Sequence, residues 1–196
     1  MLRMIERSTG VLLTVAQPTG DVISWDTLFA PDDDIHGALL AALKAAPDGT
    51  ICTSSQFGFT DQDIADEFAR LASNPASRFL FDKSQEAGHA ERPIVQALVK
   101  KLRPEQWAIG TSNKAHQILH TKAVALTYPW GKQGTPQALI RESGWTMTGS
   151  FNLSKSASDQ FNVVDVVISP SRTALFRKMI EAMFLWVKAN QPTNQP

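Results

Sequence analysis

Apolar residues at the start of the chain fall into two short runs separated by a polar cluster. The runs extend from Val11 to Ala16 and from Val22 to Trp25, and between them lies Gln17-Pro18-Thr19-Gly20-Asp21. Proline, glycine and aspartate between two apolar runs are typical of a turn joining two strands. The pattern therefore predicts a β-hairpin.

Further along, strand-like runs alternate with segments whose apolar residues recur at helical spacing. Helices are predicted over 34–46, from an N-cap in Thr60-Asp61-Gln62-Asp63 to Leu71, over 94–102 and over 175–187. Strands are predicted over 50–54, 78–81, 107–109, 118–126, 146–148 and 163–168. This alternation predicts an α/β fold, in which helices cover both faces of a β-sheet. We expect one domain over 1–190 and a frayed tail over 191–196.

Composition narrows the class of protein without naming a function. The chain has 196 residues, of which 43% are hydrophobic and 19% are charged, values that fit a folded globular domain. Its net charge is zero, which removes the simplest argument for a polyanionic partner. The single cysteine, Cys52, excludes an intramolecular disulfide. No export signal or membrane-spanning run is recognised, so we expect a cytoplasmic protein without integral membrane association.

The candidate chemistry lies in two short motifs, His120-Thr121-Lys122 and Gly149-Ser150-Phe151-Asn152. On a strand, residues two apart project to the same face, so each motif would present two polar side chains together. Lys122 supplies a positive charge, and Ser150 and Asn152 supply donors for phosphate oxygens. An imidazole beside them can attack phosphorus as a nucleophile, and this set of groups requires no metal ion.

These motifs resemble the signature of the phospholipase D superfamily, and the likeness is closest to its small single-motif bacterial endonucleases. Segments similar to the family occur in the family's order over roughly residues 27–190. The resemblance implies a phospholipase D-like domain with a mixed sheet, acting as a metal-independent phosphodiesterase through a phosphohistidine. It implies that His120 is the nucleophile or the acid and that Lys122 binds the phosphate. Ser150 and Asn152 would then orient the phosphate oxygens. No cofactor or metal is implied.

The sequence departs from the family pattern at three places. Thr127 stands where the motif has an aspartate, which in the family is mostly structural. The acid that orients the histidine would fall near Val163, so Asp165 and Asp159 are the candidates for that role. The loop between the two motifs, which carries Tyr128 and Trp130, is longer than usual and could either stack on bases or form an ordinary hairpin tip.

One His-x-Lys motif supplies one imidazole, whereas cleavage through a phosphohistidine needs a second, protonated group for the leaving oxygen. We therefore expect a homodimer in which two copies of His120 meet at a twofold axis. The expected substrate is a nucleic acid, either DNA or RNA. Two alternatives remain open: hydrolysis of a phospholipid headgroup, and a degenerate binding module without activity.

Overall fold

The fold is built on one mixed sheet. The computed structural model describes residues 3–7, 10–16, 22–86, 91–111, 119–129 and 144–190. In that part of the chain nine strands form the sheet, in the order β1-β2-β3-β9-β8-β7-β4-β5-β6. The strands are β1 Arg3–Arg7, β2 Gly10–Ala16, β3 Val22–Ala30, β4 Ile51–Gln56, β5 Arg78–Asp82, β6 Trp107–Gly110, β7 Lys122–Thr127, β8 Trp145–Gly149 and β9 Asn162–Ile168. The pairs β4–β5 and β5–β6 are parallel, and the other pairs are antiparallel.

The described residues contain four α-helices, α1 Ile35–Ala45, α2 Gln62–Leu71, α3 Glu91–Val99 and α4 Pro170–Asn190. Aspartates begin two of them: Asp34 accepts from the Gly37 amide at 2.7 Å, and Asp61 accepts from the Ile64 amide at 3.0 Å. Each carboxylate satisfies an amide that has no partner within its helix and lies at the positive end of the helix dipole. None of the described helices is both long enough and apolar enough to cross a membrane.

The two faces of the sheet carry different cores. Helices α1 to α3 cover a large aromatic core on one face, built around Phe59, Phe68, Phe79, Phe81 and Phe151. Helix α4 covers the other face, where a smaller cluster contains Leu80, Ala108, Leu119, Phe184 and Val187. Burial of these aromatic side chains stabilises the first face, and with it the sheet that positions the candidate site.

The fold class predicted from the sequence is confirmed: the sheet is mixed, and helices cover both faces. The hairpin is confirmed as the antiparallel pair β2–β3, while its turn residues 17–21 lie outside the described residues. Strand β1 was not predicted, and β3 continues five residues beyond Trp25, to Ala30. The predicted tail, 191–196, also lies outside the described residues.

The prediction of a strand over 118–126 was wrong at its start. Strand β7 begins at Lys122, so His120 precedes the strand rather than lying on it. The reason is the neighbouring strand, because β4 ends at Gln56, whose partner across the ladder is Lys122. The amide of Leu119 instead donates to the buried carboxylate of Asp82, at the end of β5.

Candidate functional site

The predicted site residues lie where five strands end on one edge of the sheet. This edge, called here the site edge, holds the start of β7 with His120 and Lys122 and the end of β8 with Ser150. The end of β4 lies beside β7, and the start of β9 and the end of β3 lie beyond β8. The antiparallel pairing of β4, β7, β8 and β9 places these ends together, although they are distant in sequence.

His120 and Lys122 meet on the ring of Phe57, the residue that follows β4. The imidazole of His120 is exposed, and its centroid lies 4.8 Å from that of Phe57, with the planes tilted by 59°. The ammonium of Lys122 lies 4.9 Å from the same centroid, within the range of a cation–π interaction. The structure therefore brings together the two residues predicted from the His-x-Lys motif.

Lys122 is a buried cation. The residue is 6% exposed, and its ammonium donates to the carbonyl of His120 at 3.3 Å. Within the described residues it forms no ion pair. Burial lowers the pKa of Lys122, because the charged form loses hydration. An anion reaching the site would find this charge incompletely neutralised by the protein.

Ser150 lies one strand further along the site edge and is bound to β9. Its hydroxyl donates to the side-chain oxygen of Asn162 at 3.1 Å and accepts from the Val163 amide at 3.0 Å. A serine hydroxyl has a single proton. Donation to a phosphate, as the resemblance implies, therefore requires the hydroxyl to turn away from Asn162.

Asn152 lies beside the segment that carries Phe57. Its neighbour Leu153 donates to the carbonyl of Gly58 at 3.0 Å. A Cβ atom at Gly58 would lie 3.0 Å from Cγ and Oδ1 of Asn152, so glycine provides the room that this amide occupies. The Asn152 Oδ1 atom is buried and has no hydrogen-bond partner among the described residues. The amide nitrogen has two protons, the donors that the resemblance assigns to phosphate oxygens.

The candidate orienting acids do not contact His120. Asp165 accepts from the Thr27 hydroxyl at 2.8 Å. Because Asp165 is aligned with Thr148 and Ala123 across the ladder, it projects to the sheet face opposite to Lys122. Asp159 is exposed at the end of a 3-10 turn, Lys155–Asp159. No hydrogen bond within the described residues joins either carboxylate to His120, and their role stays a prediction.

Thr127 lies at the other end of β7. Its Oγ1 atom is buried without a partner among the described residues, so it does not reproduce by hydrogen bonding the structural role of the family's aspartate. A cavity of about 440 Å³ adjoins this end, between β7 and α4, and includes Tyr128, Thr173 and Arg177 in its lining. It contains none of the predicted site residues. The loop residues 130–143, with Trp130, lie outside the described residues.

Three residues at the site edge were missed by the sequence reasoning: Phe57, Gly58 and Asp82. Asp82 directly follows the strand predicted over 78–81, whereas Phe57 and Gly58 lie just beyond the strand predicted over 50–54. Phe57 and Gly58 follow the polar residues Ser54-Ser55-Gln56, all of which are buried. Asp82 follows Phe79-Leu80-Phe81 and is 1% exposed. Buried polar groups at strand ends are candidates for a functional site.

The site edge also has an apolar rim, defined by Phe29, Phe161 and Val163. These residues are 51%, 96% and 41% exposed. Phe29 is the cross-strand partner of Val163, whose amide is bound by Ser150. Exposed aromatic side chains beside a polar site commonly mark contact surfaces.

Comparison with known proteins identifies the fold. No family model matches the chain, and no curated protein matches it. The structure is similar to that of Nuc from Salmonella typhimurium, a phospholipase D family member, with a TM-score of 0.60 and 17% sequence identity over 83% of this chain and 95% of that chain. It is also similar to NucT from Helicobacter pylori, with a TM-score of 0.60 and 15% identity over 84% of this chain and 97% of that chain. The phospholipase D-like fold predicted from the sequence is confirmed.

Proposed function

We propose that this chain, which has the phospholipase D-like fold, is a metal-independent phosphodiesterase that cleaves nucleic acid. The observation that carries the proposal is the contact of an exposed histidine and a buried ammonium with the same ring, that of Phe57. No described carboxylate forms an ion pair with that ammonium. A nucleophile beside a fixed positive charge suits attack on a phosphodiester. The similarity of fold to Nuc, a phospholipase D family member, also supports the proposal.

The proposed reaction has two steps. A ring nitrogen of His120 attacks phosphorus, and the bond from phosphorus to the leaving oxygen breaks, while a second, protonated group gives that oxygen its proton. Water then attacks the phosphohistidine, the phosphorus–nitrogen bond breaks, and the second group recovers a proton from the water. Lys122 balances the negative charge on the non-bridging oxygens, and Ser150 and Asn152 orient them.

We infer that the second group is His120 of the partner subunit in a twofold dimer. Within the described residues, no other histidine or carboxylate is hydrogen-bonded to His120. The exposed position of His120 at the site edge leaves its ring accessible to a second chain. The apolar rim would lose water contact in such a dimer, which favours association.

Cleavage assays test the chemistry. The protein is incubated in excess chelator with single-stranded DNA, double-stranded DNA, RNA and phospholipid vesicles, and we expect hydrolysis of nucleic acid to persist. His120→Ala should lose activity by orders of magnitude while keeping its melting temperature. Activity abolished by chelator and restored by magnesium would contradict the proposal, as would an active His120→Ala protein.

Subunit mixing tests the dimer. If both copies of His120 serve one site, activity falls as the square of the wild-type fraction after random exchange with His120→Ala chains. An equal mixture then keeps about a quarter of the wild-type activity. It would keep about half of that activity if each subunit had its own complete site. Dimer mass is confirmed by light scattering. A linear dependence, or an active monomer, would contradict the composite site.

The two alternatives are distinct outcomes of the same assays. Hydrolysis confined to the vesicles would identify a phospholipid headgroup as the substrate. Binding of nucleic acid without turnover would identify a binding module. Thr127 in place of the motif aspartate and the missing carboxylate near Val163 favour that outcome.

A further inference from the structure

Phe57 is in contact with both groups on which the proposed chemistry depends. It follows the last residue of β4 and is half-buried. The centroid separations of 4.8 Å to the His120 ring and 4.9 Å to the Lys122 ammonium mean that one side chain is a neighbour of both. A tilted aromatic pair at this separation is an attractive arrangement, and so is a cation beside a phenyl ring.

The imidazole of His120 has few other constraints. Its backbone precedes β7, and the nearest firm attachment is the hydrogen bond from the Leu119 amide to Asp82. No hydrogen bond within the described residues holds the His120 ring, and neither candidate acid is bound to it. The ring contact with Phe57 is therefore the described interaction that fixes its orientation.

The ammonium of Lys122 is restrained in a similar way. Its hydrogen bond to the His120 carbonyl, at 3.3 Å, lies at the long end of the normal range. A lysine side chain has four rotatable bonds, and without an opposing carboxylate it has little to select one conformation. The ring of Phe57 supplies that selection.

We propose that Phe57 is a positioning residue, which sets the placement of the His120 imidazole relative to the Lys122 ammonium through one shared ring. This role rests on the proposed function, because the two groups are proposed to act on the same phosphate. Small errors in the placement of reacting groups reduce rate far more than they reduce binding. Phe57 should therefore affect kcat more than KM.

Three variants test the role. Phe57→Leu keeps an apolar side chain but removes the ring, and we expect kcat to fall by about ten- to a hundredfold with KM changed less than about threefold. Phe57→Tyr keeps the ring, and we expect kcat within about threefold of wild type. Phe176→Leu, which makes the same change at a half-buried position on α4, serves as the matched control and should leave kcat unchanged.

A second measurement does not depend on activity. The ring protons of His120 are followed by NMR with histidine-labelled protein, and the ring current of a phenyl group at this distance should shift their resonances. We expect the shift to disappear in Phe57→Leu and to persist in Phe57→Tyr and Phe176→Leu.

Wild-type kcat in a folded Phe57→Leu protein, or unchanged His120 resonances in that variant, would overturn the role of Phe57. A wild-type protein that hydrolyses no phosphodiester would instead refute the proposed function, and the NMR comparison would still decide whether Phe57 orients His120.

Discussion

The two edges of the sheet differ in how completely their polar side chains are hydrogen-bonded. At the edge opposite the site, called here the structural edge and defined by Arg70, Asn74, Ser77 and Gln106, polar side chains bind backbone groups. The Gln106 amide donates to the carbonyls of Ala72 and Asn74, both at 2.9 Å, and its oxygen accepts from the Arg103 amide at 3.1 Å. Arg70 donates to two carbonyls near the end of α1. These side chains complete the hydrogen bonding of turns and helix ends.

At the site edge, by contrast, several buried polar atoms lack partners in the described part of the chain. The Gln56 amide nitrogen donates to Ser54 Oγ and to the Ala123 carbonyl, both at 3.0 Å, but its oxygen has no partner. Ser55 Oγ and Asn152 Oδ1 are also unpaired, and Lys122 is a cation without an anion. Two threonines are exceptions to the contrast, because Thr127 Oγ1, near the other end, and Thr53 Oγ1, within β4, also lack a partner among the described residues.

The same residue types therefore stabilise the fold at one edge and are available to bind a ligand at the other. Buried polar groups are costly unless they are paired. A protein tolerates that cost most readily where a ligand supplies the missing partners, and the unpaired ammonium of Lys122 is suited to an anion such as phosphate.

The largest expected effect is on catalysis by Lys122→Met. We expect kcat/KM to fall by about 10² to 10³-fold, because the phosphate loses its opposing charge. The melting temperature should stay equal to or above that of wild type, because methionine fills similar space without a buried charge. Lys101→Met is the control, since Lys101 is exposed and pairs with Asp66 at 3.0 Å. A large loss of stability in Lys122→Met would show that the polar groups of the site edge stabilise the fold, as those of the structural edge do.

The two buried glutamines give the most direct test of the contrast. Gln106→Leu should lower the free energy of unfolding by about 3 kcal/mol, because two carbonyls and one amide lose their partner in the interior. Gln56→Leu should lower it by less than about 1 kcal/mol, because the substitution also removes an unpaired buried oxygen. Urea unfolding of both variants measures the difference, and equal losses would remove the distinction between the edges.

The pH dependence of stability gives a smaller effect at Lys122. Because burial lowers its pKa in the folded state, the unfolded chain binds more protons than the folded chain between that lowered pKa and the ordinary lysine pKa. The wild-type free energy of unfolding should therefore rise with pH through this window, relative to Lys122→Met. For the same reason kcat/KM should fall as pH rises through the lowered pKa. Parallel urea titrations over alkaline pH measure the first effect, and identical profiles would contradict it.

Gly58→Ala should have the smallest effect, a few-fold decrease in kcat. The new Cβ would lie 3.0 Å from Cγ and Oδ1 of Asn152, so the amide must shift by a few tenths of an ångström. In an Asn152→Ala background the same substitution should cause no further decrease, because the group that it displaces is absent. An additive loss in this double-mutant cycle would show that Gly58 acts on something other than Asn152.

The sequence by itself determined the elements and the residue types at the candidate site. Helical periodicity predicted α1, α2 and α4 because each buries one face, and Asp61 stood where an N-cap was expected. The His-x-Lys motif predicted that His120 and Lys122 would lie together on one strand. They do lie together, on the ring of Phe57, although His120 precedes the strand. These features depend on local periodicity and on residue chemistry, both of which can be read directly from the sequence.

Only the tertiary structure decided which groups surround that site. Strand order placed the ends of β4, β7, β8 and β9 at one edge, and so brought Phe57 against His120 and Gly58 against Asn152. The register across β7, β8 and β9 turned Asp165 to the opposite face, although the family resemblance made it a candidate acid. A shift of register by one residue would reverse that face, and the register is set by burial of the whole sheet and not by the motif itself.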